Sequence, residues 1–225
     1  MKKTICCVLL ISPLLFVNDS SASLVVSNIE RVVSAEINYS YYTTMSNTIG
    51  IFNEFKSMNY PGSEWDEPYN INAYQNSNIS ATTDALSLSA YGYISADGDH
   101  YGGWTPSSTV YLFFSTDNSY SYSYSFESNS SEGSKTSFLL QNMDNGIYLI
   151  NNPSSISVEN IIGTLDPGNY LLEINDTFTL VNNGYYFNDF NVSFSAEPLP
   201  APIPGAVWLL GSGFTGLIAM RRRKK

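Results

Sequence analysis

The chain has 225 residues, and its 20 acidic against 10 basic side chains give a net charge of −10 at pH 7. Seven of the ten basic residues lie in the first three or the last five positions, so residues 23–196 hold three basic and eighteen acidic side chains, a net charge of −15. Nucleic acid and anionic lipid surfaces are therefore excluded as expected partners of this region, because both are bound through clustered lysine and arginine. Calcium and uncharged polysaccharide are compatible with it.

The N-terminal segment has the pattern of a secretory signal peptide. Lys2 and Lys3 precede an apolar run over residues 5–17, and the small side chains at positions 20–22 fit cleavage after Ala22. We therefore predict that residues 1–22 are removed on export. Both cysteines of the chain, Cys6 and Cys7, fall inside this segment. The mature protein is thus expected to contain no disulfide, thiolate zinc site or cysteine nucleophile.

Residues 23–196 show a period of two almost throughout, which predicts strands with one buried face. Clusters of Asp, Asn, Gly and Pro recur every eight to fifteen residues and predict turns. The expected fold is all-β, a single antiparallel β-sandwich or jelly-roll-like domain. The predicted strands are residues 32–44, 79–94, 109–115, 120–126, 146–150, 156–162, 170–175, 177–181 and 190–195.

Two local features depart from plain alternation. Residues 48–58 place Ile51, Phe52, Phe55 and Met58 at helical spacing, which predicts one helix. The stretch 165–172 predicts a type II turn with a proline at position i+1 and Gly168 at i+2, followed by a strand that buries alternate side chains.

The segment Y-S-Y-S-Y-S-F sets Tyr120, Tyr122, Tyr124 and Phe126 on one side of a strand and three serines on the other. The simpler interpretation places these rings in the core of the sandwich. The alternative is an exposed row of rings on which sugars stack.

Few residues of the body suggest catalysis or metal binding. Asp97 and Asp99, with Asp84 or Asp117, are candidate calcium ligands, although no complete EF-hand loop is present. The one histidine, His100, has no nucleophile elbow to accompany it. Carboxylates at positions 64, 66 and 67 are glycosidase candidates by residue type alone. We therefore expect no enzyme and no required cofactor.

The C-terminal end has the pattern of a membrane-targeting segment. A proline-rich spacer over residues 197–204 is followed by an uncharged apolar segment of sixteen residues, 205–220, and by five basic residues, 221–225. As a helix the apolar segment would extend about 24 Å, at ~1.5 Å per residue. It would span a membrane of ~30 Å with help from snorkelling basic side chains, which are expected on the cytoplasmic side. An ordinary tail anchor is the plainer alternative.

These C-terminal 28 residues resemble the sorting signal of PEP-CTERM proteins, in the variant with a V-P-L-P-A box, an A-V-W-L-L-G-S-G run and a terminal arginine cluster. Glu197 stands where the variant has valine, and the strict Pro-Glu-Pro triplet is absent. The residues that carry the resemblance are Pro198, Leu199, Pro200, Ala201, Pro202, Ile203, Pro204, Gly205, Trp208, Gly211, Ser212, Gly213, Arg221, Arg222 and Arg223.

The resemblance implies export, transient anchoring in the inner membrane, recognition by an exosortase-type membrane enzyme, and release to the surface of a Gram-negative bacterium that makes exopolysaccharide. With it, we predict a non-catalytic cell-surface or extracellular-matrix protein that is associated with exopolysaccharide or biofilm. The alternatives are a carbohydrate-active enzyme or a carbohydrate-binding module on the same scaffold, and a self-associating building block of the matrix.

Overall fold

The computed structural model describes residues 22–37, 40–62, 69–98, 106–130, 134–152, 158–178 and 184–199. Within these ranges the chain forms twelve β-strands and no helix. The strands are β1 (Leu24–Ile37), β2 (Ser40–Ser46), β3 (Gly50–Tyr60), β4 (Tyr69–Ala81), β5 (Leu86–Gly98), β6 (Ser107–Thr116), β7 (Tyr120–Ser130), β8 (Ser134–Asn142), β9 (Tyr148–Asn152), β10 (Val158–Leu165), β11 (Gly168–Phe178) and β12 (Gly184–Pro198).

The strands form two six-stranded sheets in which the paired strands are antiparallel. Sheet A has the order β2-β1-β6-β11-β8-β9, and sheet B has the order β10-β7-β12-β5-β4-β3. The sheets face each other, because β1 contacts β3 and β4 while β8 contacts β12. The predicted all-β class is confirmed, and the arrangement is consistent with a β-sandwich.

Most of the interior is one apolar cluster contributed by both sheets. Phe114 stacks on Tyr170 with ring centroids 5.4 Å apart, and Tyr124 stacks on Phe138 at 5.1 Å. Burying each such side chain contributes about 1.5–3 kcal/mol relative to exposure. A second, smaller cluster includes Phe52 of β3 together with short side chains of β1, β4 and β5.

Buried polar side chains lie where the two clusters meet. Ser108 Oγ donates a hydrogen bond to Gln75 Oε1 at 3.4 Å and so joins sheet A to sheet B. Arg31, which is fully buried, donates to the carbonyl oxygens of Gly50 at 2.8 Å and Thr48, and its guanidinium lies 5.1 Å from the centre of the Phe52 ring. These contacts anchor the β2–β3 connection to the sandwich.

The predicted helix over residues 48–58 is wrong, because β3 occupies this stretch. Phe52 faces the core, whereas Ile51 and Phe55 point to the outer side of the sheet and are 77% and 50% exposed. The apolar side chains therefore alternate between two faces. Backbone pairing with β4 along the whole of β3 overrides the coincidental helical spacing.

Four of the predicted strands had the wrong limits. The predicted strands 32–44 and 79–94 each cover parts of two strands, β1 with β2 and β4 with β5. The predicted break at Asp176 does not exist, since this residue lies buried within β11. Strand β8 was not predicted, because its inward side mixes the polar Thr136 and Asn142 with Phe138 and Leu140.

The predicted type II turn is also wrong. Gly168 lacks the positive φ that position i+2 of such a turn requires. A side chain here would instead crowd Asp144, because a Cβ would lie 2.8 Å from Asp144 Oδ2. That carboxylate accepts hydrogen bonds from Asn169 N and Nδ2, each at 2.8 Å. The expected burial of Tyr170 and Leu172 on one side is confirmed.

Candidate functional site

The outer face of sheet B carries a cluster of aromatic side chains, which we call the aromatic face. Register places Phe55 of β3, Tyr74 of β4 and Tyr93 of β5 directly across from one another. Tyr91 lies two residues from Tyr93 on the same strand, so alternation puts it on the same side. Strand β12 completes the aromatic face. Its members are Phe55, Tyr74, Tyr91, Tyr93, Tyr185 and Phe187.

Four rings of the aromatic face, those of β3, β4 and β5, contact one another, and three of its six rings are exposed to solvent. Tyr74 and Tyr93 have centroids 5.5 Å apart, Phe55 and Tyr93 are 6.5 Å apart, and Tyr74 and Tyr91 meet edge to face at 6.0 Å. Phe55 is 50% exposed, Tyr91 46% and Tyr185 62%. Separations of this size are typical of interacting aromatic pairs, so the rings support one another.

The outer face of sheet B, on which the aromatic face lies, is uncharged or negatively charged in its described part. Burial raises the pKa of Tyr93, and the neighbouring phenols of Tyr91, Tyr74 and Tyr185 act in the same direction. The hydroxyl of Tyr93 is therefore protonated at physiological pH. By strand alternation, the charged side chains in the described part of this face are acidic: Asp97, Glu127, Asp189 and Glu197.

Amide and hydroxyl side chains surround the rings. Tyr91 has Asn76 and Asn191 as its Cα partners on the two neighbouring strands, and both are exposed. Asn72 Nδ2 donates to Ser95 Oγ at 3.2 Å beside Tyr93. Toward the other end of sheet B the face continues as paired serines, with Ser125 Oγ 2.7 Å from Ser193 Oγ. The aromatic face thus lies within a surface of hydrogen-bonding groups.

The structure confirms the simpler interpretation of the tyrosine row, burial in the core, and excludes the alternative of an exposed row for sugar stacking. Tyr120, Tyr122 and Tyr124 point into the core and are 0%, 7% and 6% exposed. Their rings pack between the sheets and cannot present a face to a sugar. The three serines that alternate with them form the outer side of β7, where Ser123 and Ser125 pair with serines of β12.

The structure separates Asp97 from Asp84 and Asp117. Burial raises the pKa of Tyr120, and the charges of Asp117 and Asp84 both add to this shift. Asp97 is exposed near the end of β5, whereas Asp84 lies just before that strand, which is 13 residues long. The two carboxylates are therefore roughly 40 Å apart, at ~3.3 Å per residue. Asp117 accepts a hydrogen bond from Ser23 N at 2.6 Å. The described residues contain no group of three or more His, Cys, Asp or Glu side chains that could hold a metal ion.

Several predicted positions lie outside the described residues. They are Asp99, His100, and the carboxylates at positions 64, 66 and 67.

A carboxylate pair that sequence reasoning missed occurs on the outer face of sheet A. Tyr111 has Glu30 and Glu173 as its Cα partners on either side. Burial raises the pKa of Tyr111, and the charges of Glu173 and Glu30 add to this shift. The two glutamates are two strand spacings apart, or about 10 Å. They lie on the opposite side of the sandwich from the aromatic face.

A second missed feature is a buried carboxylate. Asp176 is 0% exposed, and its Oδ1 accepts hydrogen bonds from Thr136 Oγ1 at 3.0 Å and from Asn188 Nδ2. Burial raises the pKa of Asp176 well above its ordinary value. Its other oxygen, Oδ2, has no hydrogen-bond partner, and neither has Asn188 Oδ1. No sequence signal marks this group, because the predicted strands 170–175 and 177–181 leave Asp176 at a break between them.

The structure reaches just the beginning of the predicted sorting signal. Strand β12 runs through Pro198, two residues beyond the predicted end of the body, and Leu199 N donates to Ser119 O at 3.1 Å. The other residues of the signal, from position 200 onward, lie outside the described part. Ala22, the predicted cleavage site, packs against the main apolar cluster.

Among the described residues, no helix has the length and apolar character needed to cross a bilayer. The chain matches no protein-family profile, and a search of curated proteins likewise gives no match.

Proposed function

We propose that the protein is exported and acts without catalysis at the cell surface or in the extracellular matrix, in association with polysaccharide. Its body would be a single β-sandwich domain over residues 23–196, with strand β12 continuing to Pro198. Its C-terminal tail would be a temporary membrane tether that an exosortase-type enzyme removes. The observation that carries this proposal is the end of strand β12 at Pro198, one residue after the predicted sorting box begins at Glu197.

The geometry of that end suits a removable tail. Strand β5 begins at Leu86 opposite Ala196, so beyond this point β12 pairs only with β7. Pro198 therefore lies where one side of the strand has become an edge, and a missing backbone N–H is tolerated at such a position. Cleavage after the box would leave all twelve described strands in place.

The absence of cysteine from residues 23–225 fits the same proposal. The body is held by packing and by buried polar contacts such as those of Arg31, and so does not depend on disulfide formation after export. The aromatic face lies on an open sheet surface rather than around a cleft, which favours binding over catalysis.

Intact-mass analysis of the membrane and extracellular fractions tests the proposal. We expect a membrane-bound species that begins at Ser23 and retains the tail, and an extracellular species that has lost Trp208 and all residues after it. A matched variant with Arg221, Arg222 and Arg223 replaced by alanine should accumulate unprocessed. An extracellular product that retains the segment from Trp208 to Lys225 would contradict the proposed processing.

A further inference from the structure

We propose that the aromatic face binds an internal stretch of an uncharged polysaccharide, with sugar rings stacked on the rings of Tyr91, Tyr93 and Phe55. This inference rests on the proposed extracellular role and names the ligand class and the residues of the site. None of these side chains belongs to the tyrosine row that the sequence suggested.

The first reason is the exposure of the rings. An antiparallel sheet that faces water on one side usually presents polar side chains there, as the serine-rich half of this same face does. The other half instead gathers six aromatic side chains from four neighbouring strands. Contiguous exposed apolar surface of this kind marks a site of interaction.

The second reason is charge. A polyanion would meet the acidic side chains of Asp97, Asp189 and Glu127, with no lysine or arginine in the described part of the face to offset them. The body as a whole carries eighteen acidic and three basic side chains. Repulsion therefore disfavours nucleic acid, anionic lipid and acidic polysaccharide, and leaves an uncharged ligand.

The third reason is the mixture of rings and amides. Tyr91 is bordered by Asn76 and Asn191, and a dry protein–protein contact over it would leave these amides without hydrogen-bond partners, at a cost in affinity. A pyranose ring presents C–H groups on its face and hydroxyl groups at its rim. Its face can stack on the phenol while its hydroxyls bind the flanking amides.

The size of the aromatic face indicates a polymer rather than a single sugar. From β3 to β12 it covers three strand spacings, about 14 Å. Along the strands, the aromatic face extends from Tyr91 to the position of Tyr185, whose Cα partner on β5 is Asp97. The six residue steps from Tyr91 to Asp97 correspond to about 20 Å. Affinity should accordingly rise with the length of an oligosaccharide until the face is covered.

Binding of purified full-length protein to soluble polysaccharides tests this proposal. The uncharged probes are hydroxyethyl cellulose, galactomannan, xyloglucan and dextran, and alginate is the anionic comparison. The test variant is the pair Phe55→Ala and Tyr91→Ala, and Tyr42→Ala with Tyr148→Ala is the control. The control residues lie on β2 and β9 of sheet A and are similarly exposed, at 60% and 51% against 50% and 46% for Phe55 and Tyr91.

We expect the protein to bind at least one uncharged probe, and the test variant to bind it at least about tenfold more weakly. The control variant should bind as wild type does, and thermal melting should confirm that every variant is folded. The single variant Tyr91→Phe, which keeps the ring, should retain most of the binding.

Three results would overturn the proposal. They are binding to alginate alone, no binding to any uncharged probe, and equal loss in the test and control variants. Concentration-dependent self-association that disappears in the test variant, together with no polysaccharide binding, would assign the face to a second copy of the chain. Each of these results leaves the processing proposal intact, because that proposal is judged by the masses of the cellular products.

Discussion

We expect the substitution Asp176→Asn to stabilise the folded protein at neutral and alkaline pH. Asp176 lies within β11, between Ser108 of β6 and Thr136 of β8, and faces Asn188 of β12. Burial raises its pKa, the neighbouring charge that acts on that pKa is that of another acid, Asp189, and no described lysine or arginine acts on it. An ionised Asp176 would therefore be a buried charge without a counterion.

Two unsatisfied atoms indicate the state of this carboxyl group. Asp176 Oδ2 and Asn188 Oδ1 are both buried acceptors without a donor. The other polar atoms of these two side chains already form a hydrogen bond, in which Asn188 Nδ2 donates to Asp176 Oδ1. A proton on Oδ2 would supply the missing donor. Acid and amide would then form a pair with two hydrogen bonds, and both unsatisfied atoms would be explained.

The pH dependence follows from this geometry. Burial raises the pKa of Asp176 and the charge of Asp189 adds to the shift, although hydrogen bonds from Thr136 and Asn188 oppose it. In the unfolded chain the carboxyl ionises near its ordinary pKa of about 3.9. Between the two pKa values the folded state holds the extra proton, so the free energy of unfolding falls as pH rises. The full loss above the native pKa should be at least about 1–3 kcal/mol, the cost of a neutral unsatisfied buried group, because the ionised carboxylate is in addition charged.

Asparagine at position 176 would donate from its amide nitrogen to Asn188 Oδ1 at every pH. Urea unfolding from about pH 4 to about pH 9, followed by tyrosine and tryptophan fluorescence, should show a smaller fall in stability for Asp176→Asn than for wild type. Asp97→Asn, which removes an exposed acid, serves as the control and should keep the wild-type slope. A less stable Asp176→Asn at neutral pH, with no slope in the wild type, would refute the reasoning.

Three further predictions concern packing and processing. Tyr124→Ala should cost about 3–5 kcal/mol in urea unfolding, because it empties a buried ring site, and a loss below about 1 kcal/mol would contradict the assigned burial. Gly163→Ala should lower the free energy of unfolding by about 1–3 kcal/mol, because a Cβ at position 163 would overlap the ring of Tyr122. In the double variant with Tyr122→Ala, the loss should be smaller than the sum of the two single losses. Cleavage at the predicted site would turn Ser23 N into an ammonium group 2.6 Å from Asp117 Oδ1, so Asp117→Asn should lower the melting temperature of the processed protein more than that of the precursor, and equal effects would exclude this ion pair.

The sequence predicted the class of the fold because the body alternates strongly between apolar and polar residues. The predicted limits of the strands were less accurate where packing interrupts the alternation of apolar and polar residues. The sequence predicts a break at Asp176, because a carboxylate is unexpected on an inward-facing side, yet this residue lies inside β11. In β3, apolar residues recur at intervals of three and four, as they would in an amphipathic helix. Backbone pairing with β4, which the sequence does not show, makes this stretch a strand.

The candidate site could not be predicted because it is assembled across strands. Alternation shows that Tyr120, Tyr122 and Tyr124 share a side, but the side that is buried depends on which sheet β7 joins and where. Phe55 and Tyr93, in contrast, are 38 residues apart in the chain and lie on different strands. Register brings them to 6.5 Å, and register is a property of the folded sheet.

Labelling of a single introduced cysteine tests most directly whether the aromatic face lies outside the cell. The body contains no cysteine, so Asn53→Cys, at an exposed position of β3, would carry the one thiol that remains after the predicted signal peptide is removed. A membrane-impermeant maleimide should label this variant in intact cells as completely as after lysis. Labelling that appears only after lysis would place the protein inside the cell and contradict the proposed surface role.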